Sequence, residues 1–292
     1  MSEPSTIKVE RLPDELTAEA AEVMAHAFAD GPIYTYIFQG TREYRIELLT
    51  WLFERNIIAM RNKDADVALC VRDSKASDNK GGKQLLATFM LVREGFSLNK
   101  WDMVKIGLLS MPYKAGLAAT GRMLRVLDWF KERYVTFFNP YEKRTGKETI
   151  IEKATVEKSS THITKKSVQG ESESDVVDEG VLAGIHSRIR SIYDNTYASD
   201  NRNTNPRACR YTLERMTVRP EAQGMGVGSI CLQYIVNFVD GTDSVIRLAT
   251  QKQRTCDWYQ SNGFNKTVGT DIFYTEDGNG IKSWFMECSS VE

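Results

Sequence analysis

Residues 218–229 read VRPEAQGMGVGS, with Gly224, Gly226 and Gly228 at alternate positions directly ahead of the apolar run ICLQYIVNFV. Glycine is the ordinary residue least suited to a helix, so three of them at the mouth of one need a reason. A P-loop would require a Lys after the last glycine, and none follows. A dinucleotide fingerprint would require G-x-G-x-x-G, whereas the spacing here is G-x-G-x-G, late in a chain with no βαβ series before it. Two readings stay open from this stretch alone. The helix N-terminus, with its unpaired N–H groups and positive dipole end, can hold a pyrophosphate that glycines allow close to the backbone. Alternatively, the glycines make a tight strand-to-helix turn with close packing.

Working outward, the segment CRYTLERMTV before the glycines reads as a strand, and SICLQYIVNFVD after them as a helix. Next come a strand SVIRLAT, a helix RTCDWYQSNGF, and a hairpin of KTVGTDIFYT and KSWFMEC across the turn EDGNG. Toward the N-terminus, TIKVERL has strand alternation and TAEAAEVMAHAFAD a helical period, with Thr17 placed to cap it. DGPIYTYIF reads as a turn, and TREYRIELLTWLFERNIIAMRN as an amphipathic helix. ADVALCVRD and QLLATFMLVRE form an expected antiparallel hairpin. The stretch from Trp101 to Phe138 is mostly helical in pattern, with interruptions expected around MPYKAG and at Gly121.

From Tyr141 to Gly180 the chain turns to Lys, Glu, Ser and Thr with a single aromatic residue, too little apolar surface for a core of its own. Residues 139–207 are therefore expected to be a polar, partly disordered insertion in a single domain spanning 1–292. Residues 208–288 then carry the core of the glycine motif and the C-terminal hairpin.

Composition excludes several classes. With 292 residues and 41% hydrophobic content the chain can bury a sizeable core. Its 38 basic and 39 acidic residues leave a formal charge of -1, which offers no global field for nucleic acid or an anionic membrane. The start, MSEPSTIKVERLPDE, lacks the basic-then-apolar order of a signal peptide. No stretch of about 20 residues is apolar enough to span a bilayer. The five cysteines are scattered and never in a C-x-x-C pair, which argues against a disulfide framework and against a zinc site. A cytoplasmic protein with reduced thiols, no metal, no nucleic-acid partner and no membrane partner is expected.

The glycine stretch resembles motif A of the GNAT superfamily of N-acetyltransferases, Q/R-x-x-G-x-G/A, met by Gln223, Gly226 and Gly228. Further on, WYQSNGF resembles that family's Tyr-x-x-x-Gly-Phe, with Tyr259 ahead of Gly263 and Phe264. The likeness is close from about Tyr211 to Phe264. Near the N-terminus, AFADGPIYTYIFQG and LLTWLFERN resemble the small-molecule branch related to puromycin acetyltransferase. The resemblance implies a mixed α/β fold, a central twisted and mostly antiparallel sheet flanked by helices, with the polar insertion before the fourth core strand. One departure is plain. Many family members have an Asn some seven residues before the tyrosine, where this chain has Lys252 and then Gln253.

What the resemblance implies for chemistry is acetyl transfer from acetyl-coenzyme A to an amine by direct attack in a ternary complex. Such transfer needs a neutral amine, a polarised carbonyl and a proton for the departing thiolate. By the resemblance, Met216, Thr217 and Val218 would bind the cofactor's arm through their backbone, on a strand that splays after a bulge. Gln223, Gly224, Met225, Gly226, Val227, Gly228 and Ser229 would wrap its pyrophosphate. Tyr259 would be the general acid, and Glu214, just before the bulge, the candidate base. His26, which titrates near neutrality, is a rival base. Asp30, Tyr34 and Tyr36 would border the acceptor pocket, and Arg219, Lys252 and Arg254 could meet a 3′-phosphate. A small-molecule amine is the expected acceptor. Acetylation of protein or peptide amines, and a non-catalytic acyl-coenzyme A sensor, are the alternatives.

Overall fold

The computed structural model describes residues 7–61, 68–73, 85–94, 104–138, 210–240 and 244–289. The insertion expected at 139–207 lies outside the described residues.

In chain order the elements are strand β1 (Ile7–Arg11), helices α1 (Thr17–Phe28), α2 (Pro32–Ile37) and α3 (Arg42–Arg61), and strands β2 (Ala68–Asp73) and β3 (Leu85–Arg93). Helix α4 (Met111–Phe138), strand β4 (Arg210–Val218), helix α5 (Val227–Val239), strand β5 (Val245–Thr250), helix α6 (Gln253–Gln260) and strands β6 (Lys266–Tyr274) and β7 (Gly280–Ser289) complete them. The seven strands form one sheet in the order β1-β2-β3-β4-β5-β7-β6, antiparallel throughout except for the β4–β5 pair. This is the mixed α/β architecture, mostly antiparallel and flanked by helices, that the GNAT resemblance implied.

Strand β3 lies inside the sheet between β2 and β4, and its residues from Leu85 to Val92 are all buried. Alternate side chains of a strand point to opposite faces. Met90 and Val92 accordingly pack with α1, α2, α3 and α4, and Phe89 and Leu91 with α5 and α6. Each fully buried side chain of this size, such as Phe53 or Phe89, contributes about 2 kcal/mol of hydrophobic stabilisation. The sheet is thus covered on both faces, which fixes β4 and β5 between two helical layers.

Three local expectations differ from the structure. Thr17 does not cap α1; it is the first helical residue, and its hydroxyl donates back to Asp14 O at 2.8 Å. The segment after α1 is a short helix rather than a turn alone, because Pro32 at its first position has the backbone angle a helix start needs. Helix α4 breaks at Gly116 (φ 80°), as expected around MPYKAG, yet runs unbroken through Gly121. A helical glycine costs only about 1 kcal/mol against alanine, and the apolar face around Gly121 outweighs that.

Candidate active site

The β4–β5 ladder covers only Arg210–Thr212 against Val245–Arg247, while β4 runs on to Val218 and β5 to Thr250. The two strands therefore part in the middle of the sheet. On its other side β4 carries a bulge: Met90 pairs with Glu214 and Thr88 with Thr217, so three steps along β4 match two along β3. Arg215 takes up the extra residue with a left-handed backbone (φ 52°), which costs a side chain of this kind about 1–2 kcal/mol. An ion pair to Glu214 (2.6 Å) and a guanidinium lying 5.2 Å from the Phe53 ring centroid hold it there.

Beyond β4 the chain makes a 3-10 turn at Pro220–Ala222 and enters the glycine loop. Gln223 Nε2 donates to Val218 O at 3.1 Å and ties the loop to the strand end. Gly224 and Gly226 have φ of 78° and 80°, the left-handed region that favours glycine, and a Cβ built on either would meet nothing within 4 Å. Their requirement is conformational, and the space beside them is open. Gly226 is the N-cap of α5, which has no side-chain cap hydrogen bond, so the first N–H groups of that helix have no side-chain acceptor. An open cradle ahead of an uncapped helix N-terminus fits a pyrophosphate. Gly228 is glycine for another reason: a Cβ there would lie 3.0 Å from the Trp258 ring. Gly228 thus follows the close-packing reading, whereas Gly224 and Gly226 are set by backbone conformation with open space beside them.

On the other face of the sheet, where the strands part, lies a cavity of about 340 Å³ walled by α1, α2, α3, α4, β4 and β5. Glu214, Arg215, Tyr34 and Tyr134 reach it, with an apolar surround that includes Phe28, Phe130 and Phe138. Burial pushes the Tyr34 phenol above its ordinary value, with Arg215 opposing and Glu214 reinforcing. The Tyr134 phenol is likewise raised, first by burial and then by Glu214, with Arg247 opposing. Both phenols therefore keep their protons throughout the neutral range.

Tyr259 is 8% exposed and packs against Phe264 and Trp258, at ring separations of 5.4 and 5.1 Å. Burial raises its phenol well above the ordinary value, and nearby Cys231 adds to the effect. It lies in the helical layer of α5 and α6, across the sheet from Glu214.

The structure separates the residues expected at the acceptor pocket. Of Asp30, Tyr34 and Tyr36, only Tyr34 lines the cavity. Asp30 pairs with Arg42 and Arg45 on the surface, and these cations hold its carboxyl below the usual range. Tyr36 donates to Glu276 Oε1 at 2.7 Å, beside Arg125, and so ties α2 to the β6–β7 turn. His26 is half exposed, 3.9 Å from Glu22, and does not line the cavity. Arg219 pairs with Glu19, while Lys252 and Arg254 are exposed at the start of α6. Met216 and Val218 are half-buried, Thr217 is buried, and Met225 is 65% exposed at the loop tip.

Sequence reasoning missed the wall made by α4. Met123, Leu127, Phe130, Lys131, Tyr134 and Phe138 all face the cavity at helical spacing. The available signal was a single charged residue, Lys131, on that otherwise uncharged stripe. Among the described residues, no group of three or more His, Cys, Asp or Glu is placed to hold a metal ion, and no helix is long and apolar enough to cross a membrane.

No protein-family model matches the sequence, and no curated protein matches it. Among solved structures, the chain is similar to a Corynebacterium glutamicum protein described as a histone acetyltransferase and related acetyltransferase: 12% identity, 98% of each chain covered, TM-score 0.46. An N-acetyltransferase from Staphylococcus aureus overlaps at 12% identity, with 98% of this chain and 99% of that one covered and a TM-score of 0.39. An agmatine N-acetyltransferase overlaps at 8% identity, 96% and 98% coverage, and a TM-score of 0.40.

Proposed function

We propose that this protein is an N-acetyltransferase that moves an acetyl group from acetyl-coenzyme A to the amine of a small molecule, by direct attack while both are bound. The observation that carries this reading is the parting of β4 and β5 after Thr212 and Arg247, with the glycine loop at the far end of β4 and the cavity holding Glu214 at the gap. An extended thioester arm laid along Met216–Val218 would find backbone groups on β4, and its pyrophosphate the cradle at Gly224–Ser229. Acetyl-coenzyme A supplies the activated acetyl group.

The chain's own residues supply the rest. Glu214 accepts the proton of the incoming ammonium, directly or through a water, so that a neutral amine faces the carbonyl. The β4 backbone donates to the carbonyl oxygen as negative charge develops on it. Tyr259, kept protonated by burial and packed in the same layer as Met216 and Val218 on the face opposite the cavity, gives its proton to the leaving thiolate where the arm along β4 reaches that face through the gap between β4 and β5. A cavity of about 340 Å³ suits a small acceptor, near the lower end of the usual ligand-pocket range. That size, together with the resemblance to the puromycin acetyltransferase branch, supports a small-molecule acceptor over a protein or peptide. One continuous sheet among the described residues supports a single domain into which residues 139–207 are inserted.

The test is release of free thiol from acetyl-coenzyme A by purified protein, with and without a panel of primary amines. Amine-dependent release supports the transferase. Tight coenzyme A binding with no amine-stimulated release across the panel would overturn it in favour of a sensor.

A further inference from the structure

Four cationic side chains line the cavity, Lys131, Arg210, Arg215 and Arg247, against two carboxylates, Glu94 and Glu214. The arginines are engaged within the protein. Arg215 pairs with Glu214 at 2.6 Å. Arg247 meets Glu94 and Glu287, each at 3.4 Å, and donates to Phe138 O at 3.0 Å. Arg210 lies 3.6 Å from Glu94. Lys131 differs from them: among the described residues it has no ion pair, and its nearest carboxylate influence is Asp128, one turn back on the same helix and not part of the cavity wall.

The position of Lys131 makes this more than a surface irregularity. It belongs to the α4 face formed by Met123, Leu127, Phe130, Tyr134 and Phe138, and all of its neighbours on that face are uncharged. An ammonium on such a stripe loses water contacts, and burial lowers its pKa accordingly. A lysine of this kind either turns its head back to solvent or meets an anion that is itself brought into the cavity.

Resting on the transferase reading of this site, we infer that the acceptor is an apolar or aromatic amine that also carries a carboxylate, and that Lys131 is the residue that binds that carboxylate. The cavity is then complementary in three parts. Glu214, where β4 and β5 part, faces the ammonium end. The aromatic wall of Phe28, Phe130 and Phe138 covers the body, and Lys131 meets the anionic end. An amine with no anion would leave Lys131 uncompensated in an apolar wall.

The test compares matched pairs that differ only in a carboxylate placed at the end opposite the amine, such as 4-(2-aminoethyl)benzoate against phenethylamine and 6-aminohexanoate against hexylamine. Binding is read by isothermal titration without acetyl-coenzyme A, and turnover by thiol release. A charge-assisted contact is worth about tenfold or more in affinity. At least one carboxylate member should therefore bind the native protein at least about tenfold more tightly than its partner. Lys131→Met, which keeps the apolar stem, should abolish that preference by weakening the carboxylate member about tenfold or more without weakening the plain amine, and Lys131→Arg should restore much of it. In turnover the loss should fall on KM and spare kcat. A native protein that binds the plain amines as well or better, or a Lys131→Met variant with an undiminished preference, overturns the inference. Carboxylate-selective binding lost in Lys131→Met but without turnover would uphold the site and refute acetyl transfer, so the two readings fail separately.

Discussion

Glu214 and Arg215 are consecutive residues of one strand, yet both side chains reach the same cavity, where they form an ion pair of 2.6 Å. In a regular strand neighbours point to opposite faces. The left-handed backbone of Arg215 removes that alternation and brings a carboxylate and its counter-ion together where β4 leaves β5. The strain sits beside the proposed chemistry, as strained backbone often does.

Replacing Glu214 with Gln should lower kcat/KM about 100-fold or more at neutral pH, the usual weight of a positioned base. The deficit should shrink as pH rises and more of the acceptor arrives already neutral. Steady-state kinetics from pH 6 to 10 would check this, and an unchanged rate at pH 7 would remove Glu214 from the proton path.

Tyr259→Phe should reduce kcat about 100-fold with little change in coenzyme A affinity, since the ring and its packing against Phe264 are kept. Because burial raises the Tyr259 phenol above the ordinary value of about 10, the native enzyme should lose no activity through this residue below that pH. An alkaline fall near pH 8 that disappears in the variant would contradict the assignment.

The glycines of the loop should separate by mutation. Gly226→Ala forces a side chain into the left-handed region at about 1–2 kcal/mol without a clash, and should weaken coenzyme A binding several-fold. Gly228→Ala keeps a favourable backbone but presses on Trp258, and should cost about 1 kcal/mol of stability by overpacking. Thermal denaturation and coenzyme A titration of both variants would distinguish these causes. Equal effects of the two changes on both readouts would refute the division.

Buried acids should make the fold alkali-sensitive. Cys231 is pushed up to about 12 and Cys288 up to about 11, and Cys256, Tyr134 and Tyr259 are also raised, all chiefly by burial. In the unfolded chain thiols ionise near 8.5 and phenols near 10, so above those values the unfolded state holds fewer protons than the folded one. This contribution to stability is complete below about pH 8.5 and declines as pH rises toward the folded values. Denaturant midpoints from pH 7 to 10.5 should fall accordingly. In the native state at pH 8, the buried Cys231, Cys256 and Cys288 should resist alkylation.

The motifs with local causes were legible in the sequence. Three glycines ahead of an apolar helix, the Tyr259-to-Phe264 segment and the period-two strands each depend on neighbours a few residues away, so composition and spacing reveal them. The resemblance implied a bulge just after Glu214, but the sequence left the facing of Glu214 open, because one inserted residue reverses every side chain beyond it. Asp30, Tyr34 and Tyr36 looked alike in one short loop, and only the turn of α2 against α3 and α4 decided that Tyr34 faces the cavity while Tyr36 meets Glu276.

Tyr134 was invisible as a site residue because the charges that act on it, Glu214 and Arg247, lie some eighty to more than one hundred positions away in the sequence. By itself, then, the sequence determined the order of elements, the glycine loop and the helices' apolar faces, all set by backbone preference and short-range periodicity. Only the tertiary structure decided which charged groups share one cavity, since burial and electrostatic partnership depend on distances through space that no local pattern encodes.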